Sequence, residues 1–511
     1  MSKNRKWWGL FALMPALAMV FVDQSVLPVA LPTIQKHLGA TNVQLQWCIN
    51  AYLLVTAVLV LAGGKIGDWM GHRKAFTFGM IIFSIASALC GATPDVFWLI
   101  AARGLQGIGA ALMFPASTAL LMSLFPPSER GKATGINVSA SSLFLIIGPL
   151  VGGYFTEALS WRWIFWINLP IAALGLILVY LFIQPSKVEK PKFDLRGFVY
   201  FVISSGSLIV ILMQAREWGW TSSKVIICFL FFFIATIFLL LREKKAPHPF
   251  LDLSLFKHPI FKAVNISVFS IQFILMITVF RAIFFQDVLD WSPMKTGVIT
   301  VLSSCPVLFL SPIGGMLSDK FGPKIPITIG FLLLIFSFIW TAFFFQSSLG
   351  ILFIGLVTFG LGIPLVFTPS YASAMGAVPQ TKAGSAFGTI ATIRSFSATL
   401  AVAVLGAFID TTQFNTLQSL AQENPKTQMI PSSLLQNMIA GAQQAKEYLR
   451  DLSSEQGSIL LRYFYKAEEA GFFYTHLGLA GLLSIALILV FFLYHRKSKH
   501  QLPDMPAEGW D

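Results

Sequence analysis

A single carboxylate lies inside the first long apolar stretch of this chain. Asp23 falls within VFVDQSVLPVALP (20–32), and residues 8–31 are otherwise almost all hydrophobic. A charged group at the centre of a bilayer costs roughly 2.5–3.5 kcal/mol on insertion scales, so such residues usually face a cavity. Burial disfavours the ionised form of a carboxyl group, and a nearby cation favours it. Asp23 is therefore a candidate proton carrier, with a purely structural pairing role as the alternative.

Arg103 is the basic residue best placed to act with Asp23. It lies in the apolar stretch 96–120, which crosses the membrane in the direction opposite to 8–31, so both residues are expected in the outer half. Arg103 and Gln106 share one helix face because residues three apart are neighbours on a helix. The alternative is a structural arginine bonded to backbone carbonyl groups.

The composition indicates a helical membrane protein. Of the 511 residues, 56% are hydrophobic and 12% are charged, and the mean hydropathy is +0.73. A β-barrel would instead show alternating ten-residue segments. About 20 apolar residues cross a bilayer core as a helix. The candidate spans are 8–31, 43–64, 75–93, 96–120, 134–156, 163–184, 195–214, 223–242, 260–287, 293–317, 326–346, 350–374, 383–409 and 472–494.

The net charge of +13 follows membrane topology and does not indicate nucleic-acid binding. Lys and Arg cluster in short loops on one side, such as GHRK (71–74) and REKK (242–245), whereas QSSLG (346–350) on the other side has neither. Basic loops are typical of the cytosolic side. We therefore expect a multi-pass protein of the plasma or inner membrane with both termini cytosolic, and we interpret the N-terminal apolar run as a span.

No metal site, disulfide or cofactor is expected. The four cysteines lie in apolar stretches without the spacing of a metal site. The chain also lacks the phosphate-binding pattern GxxxxGK[ST], so ATP hydrolysis is not expected to drive it. The cysteines are Cys48, Cys90, Cys228 and Cys305.

The chain contains an internal repeat. GGKIGDWMGHRK (63–74) recurs as GGMLSDKFGPK (314–324), and 107–135 recurs as 360–388, with an offset of about 250 residues in both cases. Two halves of the same direction are typical of transporters built from parallel repeats. Two spans lack a counterpart and predict an inserted hairpin.

The predicted organisation follows from this repeat. Residues 1–185 form a six-helix bundle, 186–258 an inserted two-helix hairpin with a cytosolic linker, and 259–511 a second six-helix bundle. The second bundle includes an extracellular loop, 411–471. The Leu, Ala and Gln content of this loop suggests short amphipathic helices, and a poorly ordered loop is the alternative.

Several motifs resemble those of the major facilitator superfamily. GKIGDWMGHRK resembles its loop signature, RGLQGIGAA (103–111) its fourth-span motif, and GPLVGG (148–153) the fifth-span motif of antiporters. DQSVLPVALP (23–32) is similar to the first-span motif of drug:proton antiporters. With the fourteen spans, these motifs point to the fourteen-span branch of those exporters. The chain departs from the usual motifs at Trp69, His72, Pro28, Ala140 and Phe144.

The resemblance implies a major facilitator fold and a secondary transporter, not an enzyme. It implies a multidrug:proton antiporter that exports amphipathic drugs or toxic compounds, in which Asp23 and Arg103 couple transport to protons. The expected partners are a small-molecule substrate, protons and the lipid bilayer, and we expect a monomer. One alternative is a transporter of the same fold for a specific metabolite or lipid precursor. Another is a membrane enzyme or receptor that works through 411–471.

A set of loop and glycine residues is expected to control opening and closing. The resemblance implies that Asp68 latches the two halves on the cytosolic side. A helix N-terminus stabilises a carboxylate, and the helix starting at Ala383–Gly384 is the candidate acceptor. Glycines permit tight turns and close helix contacts. The full set is Gly64, Asp68, Gly71, Arg73, Gly148, Pro149, Gly152, Gly153 and Asp319.

Polar and aromatic residues within spans are candidates for substrate contacts, with ordinary packing as the alternative for each. Arg394 is either a cavity residue or a structural pin to backbone carbonyl groups. The second half has no acidic residue near mid-membrane, which weakly disfavours dicationic substrates. The candidates are Gln46, Asn50, Tyr52, Gln106, Gln272, Phe280 and Arg394.

Overall fold

The computed structural model describes residues 3–185, 194–245, 253–376, 383–440 and 454–495. Within these ranges the chain is helical, and none of the described residues forms a β-strand. Fourteen helical segments are long and apolar enough to cross a membrane. A helix satisfies the hydrogen bonds of its own backbone, which is the condition for crossing hydrocarbon. The predicted all-α membrane fold with fourteen spans is confirmed.

The helices are numbered in chain order over the described residues. Their bounds are α1 Lys3–Leu38, α2 Asn42–Met70, α3 His72–Gly91, α4 Val96–Leu124, α5 Pro127–Ala158, α6 Trp163–Trp166, α7 Asn168–Phe182, α8 Leu195–Trp218, α9 Ser223–Lys245, α10 Pro259–Leu275, α11 Ile277–Asp287, α12 Pro293–Ser304, α13 Pro306–Phe321, α14 Lys324–Phe344, α15 Leu349–Gly376, α16 Ala383–Glu423, α17 Ser432–Ile439 and α18 Ser454–His495.

Three spans consist of two helices in sequence. The helices α6 and α7 meet at Ile167, α10 and α11 at Met276, and α12 and α13 at Cys305. Pro306 opens α13, and because proline has no backbone N–H it cannot continue the hydrogen-bond ladder of α12. The first two spans of the second half are thus divided near their middles.

The helix bundle has two faces, which we call the terminal side and the loop side. The terminal side holds the start of α1 and the end of α18, because fourteen crossings return the chain to the side where it began. There, Lys324 at the start of α14 lies 3.7 Å from the ring centroid of Phe491 in α18. The loop side is opposite and holds the turn between α1 and α2.

Each half of the chain has its own buried core. Helices α1–α7 pack around large side chains such as Phe76, Phe83 and Trp161. Helices α10–α16 and α18 pack around Phe331 and Phe338. We call these groups the N-half and the C-half. The domain boundaries at 185 and 258 stay a prediction.

The hairpin α8–α9 lies against one seam between the halves. Its helices are joined by the hydroxyl groups of Ser204 and Thr236, 2.7 Å apart. Asn50 of α2 donates to the sulfur of Met213 in α8 at 3.0 Å, and α8 also packs against α16. Residues 186–193 and 246–252 of the predicted linker lie outside the described residues.

The segment 411–471 is largely helical where it is described. The helices α16 and α18 extend into it from the membrane, and α17 packs between them through Leu417, Leu435 and Leu460. Short amphipathic helices were expected here, and α17 is a short helix that buries Leu434, Leu435, Met438 and Ile439. Residues 410–423 and 454–471 instead continue the helices of the adjoining spans. Residues 441–453 lie outside the described residues.

The N-half and the C-half are joined on the loop side. The backbone N–H of Asn42 donates to Ala440 O at 2.9 Å, and its side chain donates to Ile439 O at 2.7 Å. Gln286 of α11 donates to Val29 O of α1 at 2.8 Å. The helices α5 and α12 also pack closely at this side. The loop side is therefore closed in this structure.

Candidate functional site

Asp23 and Arg103 form an ion pair inside the N-half. The Nη1 of Arg103 donates to Asp23 Oδ2 at 2.5 Å, which joins α4 to α1. The Nε of Arg103 donates to Cys48 O of α2 at 3.0 Å. Both charged side chains are 1% exposed or less. Arg103 therefore bonds to an acidic side chain and to a backbone carbonyl group at the same time. Pairing with Asp23 and a structural bond to the backbone, which the sequence offered as alternatives, occur together.

Gln106 is the second partner of both charged groups. Its Oε1 accepts from Arg103 Nη1 at 2.6 Å, and its Nε2 donates to Asp23 Oδ1 at 2.8 Å. One helical turn separates Arg103 from Gln106, so both reach Asp23 from the same face of α4. Each carboxylate oxygen of Asp23 thus accepts one hydrogen bond, and the ion pair is held in a defined geometry.

Ser87 and Asn168 extend this network to two further helices. Gln106 Nε2 also donates to Ser87 Oγ of α3 at 2.8 Å, and Asn168 Nδ2 of α7 donates to the same oxygen at 3.1 Å. Sequence reasoning missed both residues. Each is a polar side chain in an otherwise apolar span, which is the only signal that the sequence carries.

Two aromatic rings lie beside the guanidinium of Arg103. The guanidinium of Arg103 lies 4.4 Å from the ring centroid of Tyr52 and 6.0 Å from that of Phe165. Such contacts stabilise a cation that has left water. Tyr52 and Gln106 were expected at the substrate; the structure places both beside Asp23 and Arg103, and their contact with substrate stays a prediction.

The loop between α2 and α3 makes contacts within its own half. Asp68 Oδ1 lies 3.2 Å from His72 Nε2. Gly71 has a φ of +91°, a backbone conformation that glycine adopts without strain. Arg73 lies 5.8 Å from the ring centroid of Tyr180 and donates to its carbonyl oxygen at 3.3 Å. The side chains of Asp319 and of the expected acceptor at Ala383–Gly384 lie outside the described residues.

The glycines of α5 let this helix pack closely against α1 within the N-half and against α12 across the loop side. A Cβ on Gly152 would lie 2.7 Å from Val26 O of α1, and one on Gly153 would lie 2.7 Å from Pro293 O of α12. A Cβ on Gly148 would overlap the side-chain hydroxyl of Ser25 in α1 and would lie 3.1 Å from Val22 O. Side chains larger than hydrogen would push these backbones apart. The seal implied by the family motif therefore has a steric basis, and Pro149 lies beside Gly297 in the same contact.

Three candidate substrate residues lie in packed contacts. Gln46 lies against Gly406 of α16, Asn50 bonds to Met213 of α8, and both are buried. Phe280 packs against the cores of both halves. In this loop-side-closed structure these side chains hold the seam between the halves, and their contact with substrate stays a prediction.

Gln272 and Arg394 come together in the C-half. Arg394 Nε donates to Gln272 Oε1 at 3.1 Å, and the guanidinium lies 5.5 Å from the ring centroid of Phe367. Both contacts are with side chains, and the role of Arg394 at the substrate stays a prediction.

Comparison with known protein families assigns the chain to one of them. A family model described as Major Facilitator Superfamily matches residues 13–402. The chain belongs to the Major Facilitator Superfamily. The predicted resemblance is confirmed, and the protein is a multi-pass membrane transporter and not an enzyme.

Similar proteins include several exporters. The chain is 31% identical over 399 residues to the multidrug resistance protein Stp of Mycobacterium tuberculosis, covering 77% of this chain and 74% of Stp. It is 30% identical to the multidrug transporter protein MdtP of Bacillus subtilis, covering 78% and 75%. It is 33% identical to the riboflavin transporter RibZ of Clostridioides difficile, covering 79% and 88%.

Solved structures show the same fold. A bacterial homologue of the human lysosomal transporter Spinster, in an inward-facing and occupied conformation, superposes with a TM-score of 0.68. The alignment covers 97% of this chain and 98% of that chain at 15% sequence identity. At this identity the likeness concerns the fold alone.

Proposed function

We propose that this protein is a proton-coupled exporter of amphipathic compounds, with the terminal side facing the cytosol. The observation that carries this proposal is the sealed network of Asp23, Arg103 and Gln106 within the N-half. A carboxylate in the membrane interior without exposure to water is costly unless it is paired, and such groups serve transport in membrane proteins. The multidrug names of Stp and MdtP support the export of drugs.

In this proposal the network alternates between an arrangement with Asp23 ionised and one with Asp23 protonated. With Asp23 ionised, both of its oxygens accept hydrogen bonds from α4. With Asp23 protonated, the attraction to Arg103 falls and the buried guanidinium loses its counter-charge. A ligand shifts a conformational equilibrium only by its difference in affinity between the states. Protonation thus favours an arrangement in which water reaches Arg103.

The proposed direction of proton movement starts from the closed loop side. In the closed structure Gln286 of α11 bonds to Val29 of α1, and Gly406 of α16 lies against Gln46 of α2. Opening the loop side separates these two pairs of helices. Water from outside then reaches Asp23, and protonation stabilises the outward-open arrangement. Closure, together with opening of the cytosolic side, returns Asp23 to its ionised, paired state and releases the proton inward.

The test is accumulation of a compound panel inside everted vesicles, in which an exporter carries its substrate into the lumen, with and without a proton gradient. We expect the Asp23→Asn variant to abolish gradient-driven transport because asparagine cannot titrate, while the protein still folds. Asp95→Asn is the matched control, because Asp95 caps α4 on the loop side and asparagine also caps helices. Undiminished pH-dependent transport by Asp23→Asn would refute the assignment.

A second candidate function is transport of one specific metabolite. The similarity to RibZ, whose name gives riboflavin as its substrate, favours this alternative over others. Substrate-induced proton release distinguishes exchange from co-transport, since an antiporter releases protons when its substrate binds, and the number of compounds that elicit the release distinguishes a multidrug exporter from a specific transporter. A protein that responds to a single compound in the panel would support the alternative.

A further inference from the structure

The charges inside the membrane are unevenly divided between the halves. Four charged residues lie more than one helical turn from the ends of the spans predicted above: Asp23, Arg103, Arg281 and Arg394. Asp23 and Arg103 pair within the N-half and cancel. The C-half therefore contributes two positive charges and no negative charge at this depth.

Arg281 is one of these two cations, and it is sealed. Its Nε donates to His476 Nε2 at 3.0 Å, so the proton of that imidazole is on Nδ1, which donates to Phe472 O at 2.8 Å. The guanidinium lies 5.3 and 4.9 Å from the ring centroids of Phe338 and Phe359. This partner is a neutral imidazole, so the positive charge of Arg281 is not cancelled.

Arg394 is the other cation, and it is partly exposed. Its contacts with Gln272 and Phe367 direct it towards α10 and α15. The neighbouring Phe396 faces the ring of Phe201 in α8 instead. Arg394 is the twelfth residue of α16, so it lies roughly 16 Å from the terminal-side end of that helix. That depth is close to the middle of a bilayer core about 30 Å thick.

Arg394 has no counter-charge in the described part of the chain. Among the described residues, ion pairs such as those of Arg103 and Arg242 do not reach Arg394 or Arg281. A guanidinium presents five N–H donors in a planar arrangement that matches a carboxylate. In a low-dielectric surrounding, an unpaired cation attracts an anion strongly.

We propose that Arg394 is the anion-recognition group of the substrate site, and that the transported compounds carry one negative charge, such as a carboxylate, on an aromatic body. This inference rests on the proposed export function and names its substrate class. The ring of Phe367, which faces Arg394, and the ring of Tyr371, whose centroid lies 4.7 Å from that of Phe367, provide the apolar surface for the aromatic body. The fixed charge of Arg281 adds to the preference for anions and disfavours cationic drugs.

The test compares three ligands that share one aromatic body. These are 2-naphthoxyacetate, its methyl ester and the matched naphthoxyethyl-trimethylammonium ion. Binding to the purified full-length protein in lipid nanodiscs is measured by equilibrium dialysis at one pH, without any gradient. We expect the wild type to bind the carboxylate about 10-fold or more tightly than the ester, since hydrogen bonds between charged groups are the strong ones.

Two variants remove this preference in different ways. Arg394→Gln removes the charge, and Gln272→Glu keeps the guanidinium but places a carboxylate at the oxygen that it already contacts. Both should bind the carboxylate about 10-fold less tightly and the ester almost unchanged. Gln418→Glu, on the loop-side extension of the same helix, is the matched control and should bind like the wild type.

The outcomes separate this inference from the proposed function. A wild type that fails to bind the carboxylate, or binds the ammonium ion more tightly, overturns the anion site. Retained preference in Gln272→Glu overturns it too, even where Arg394→Gln does not fold. Proton coupling is tested separately by Asp23→Asn under a gradient, so either proposal can fail while the other stands.

Discussion

At the scale of single residues, Ser87 holds together the network around Asp23. Its hydroxyl oxygen accepts from both Gln106 and Asn168, and all three side chains are buried. Ser87→Ala leaves one N–H of each amide without an acceptor, and an unsatisfied buried donor costs about 1–3 kcal/mol. We therefore expect a lower midpoint of thermal unfolding in detergent and a shifted pH dependence of efflux.

Ser84→Ala is the control for this prediction. Ser84 lies on the same helix but is partly exposed, so its loss should leave both measurements near those of the wild type. Equal unfolding midpoints and equal pH profiles for Ser87→Ala and the wild type would show that the hydroxyl does not hold Gln106.

At the scale of helices, the contact between α5 and α12 closes the loop side. The Cβ of Gly153→Ala would approach a backbone oxygen that cannot move independently of its helix. We expect the variant to separate the loop-side ends of the two helices, measured as a longer distance between spin labels placed there. Proton leak in the absence of substrate should rise as well. Gly206→Ala is the control, since a Cβ there meets nothing within 4 Å; an unchanged label distance in Gly153→Ala would contradict the prediction.

At the scale of the whole molecule, the charge of the substrate decides how the membrane potential acts. Exchange of one outgoing monoanion for one incoming proton moves two charges, worth about 4.6 kcal/mol at 100 mV. We expect a potential that is negative on the terminal side to drive efflux of the naphthoxyacetate probe in proteoliposomes without a pH gradient. The uncharged ester should respond about half as steeply. Equal responses of the two probes to the potential would contradict the charge assignment.

The sequence determined the architecture and the identity of the charged residues. Hydrophobic length predicts a span because the bilayer accepts only apolar helical segments, so fourteen spans were readable from the chain. The repeat and the motifs led to the superfamily. Asp23 and Arg103 were identifiable as a pair because a charge within a span is rare and the directions of the two spans place them in the same half of the membrane.

Only the tertiary structure decided which side chains meet. Ser87 and Asn168 join Asp23 through Gln106, whereas Gln46 and Asn50 face packed helices. Residues from distant spans meet according to the rotation and closeness of the helices, and glycines such as Gly153 set that closeness through contacts that no local pattern encodes. Whether an arginine in a span has an acidic partner depends on which helices surround it. The packing of the helices therefore also decided that no described acidic side chain pairs with Arg394.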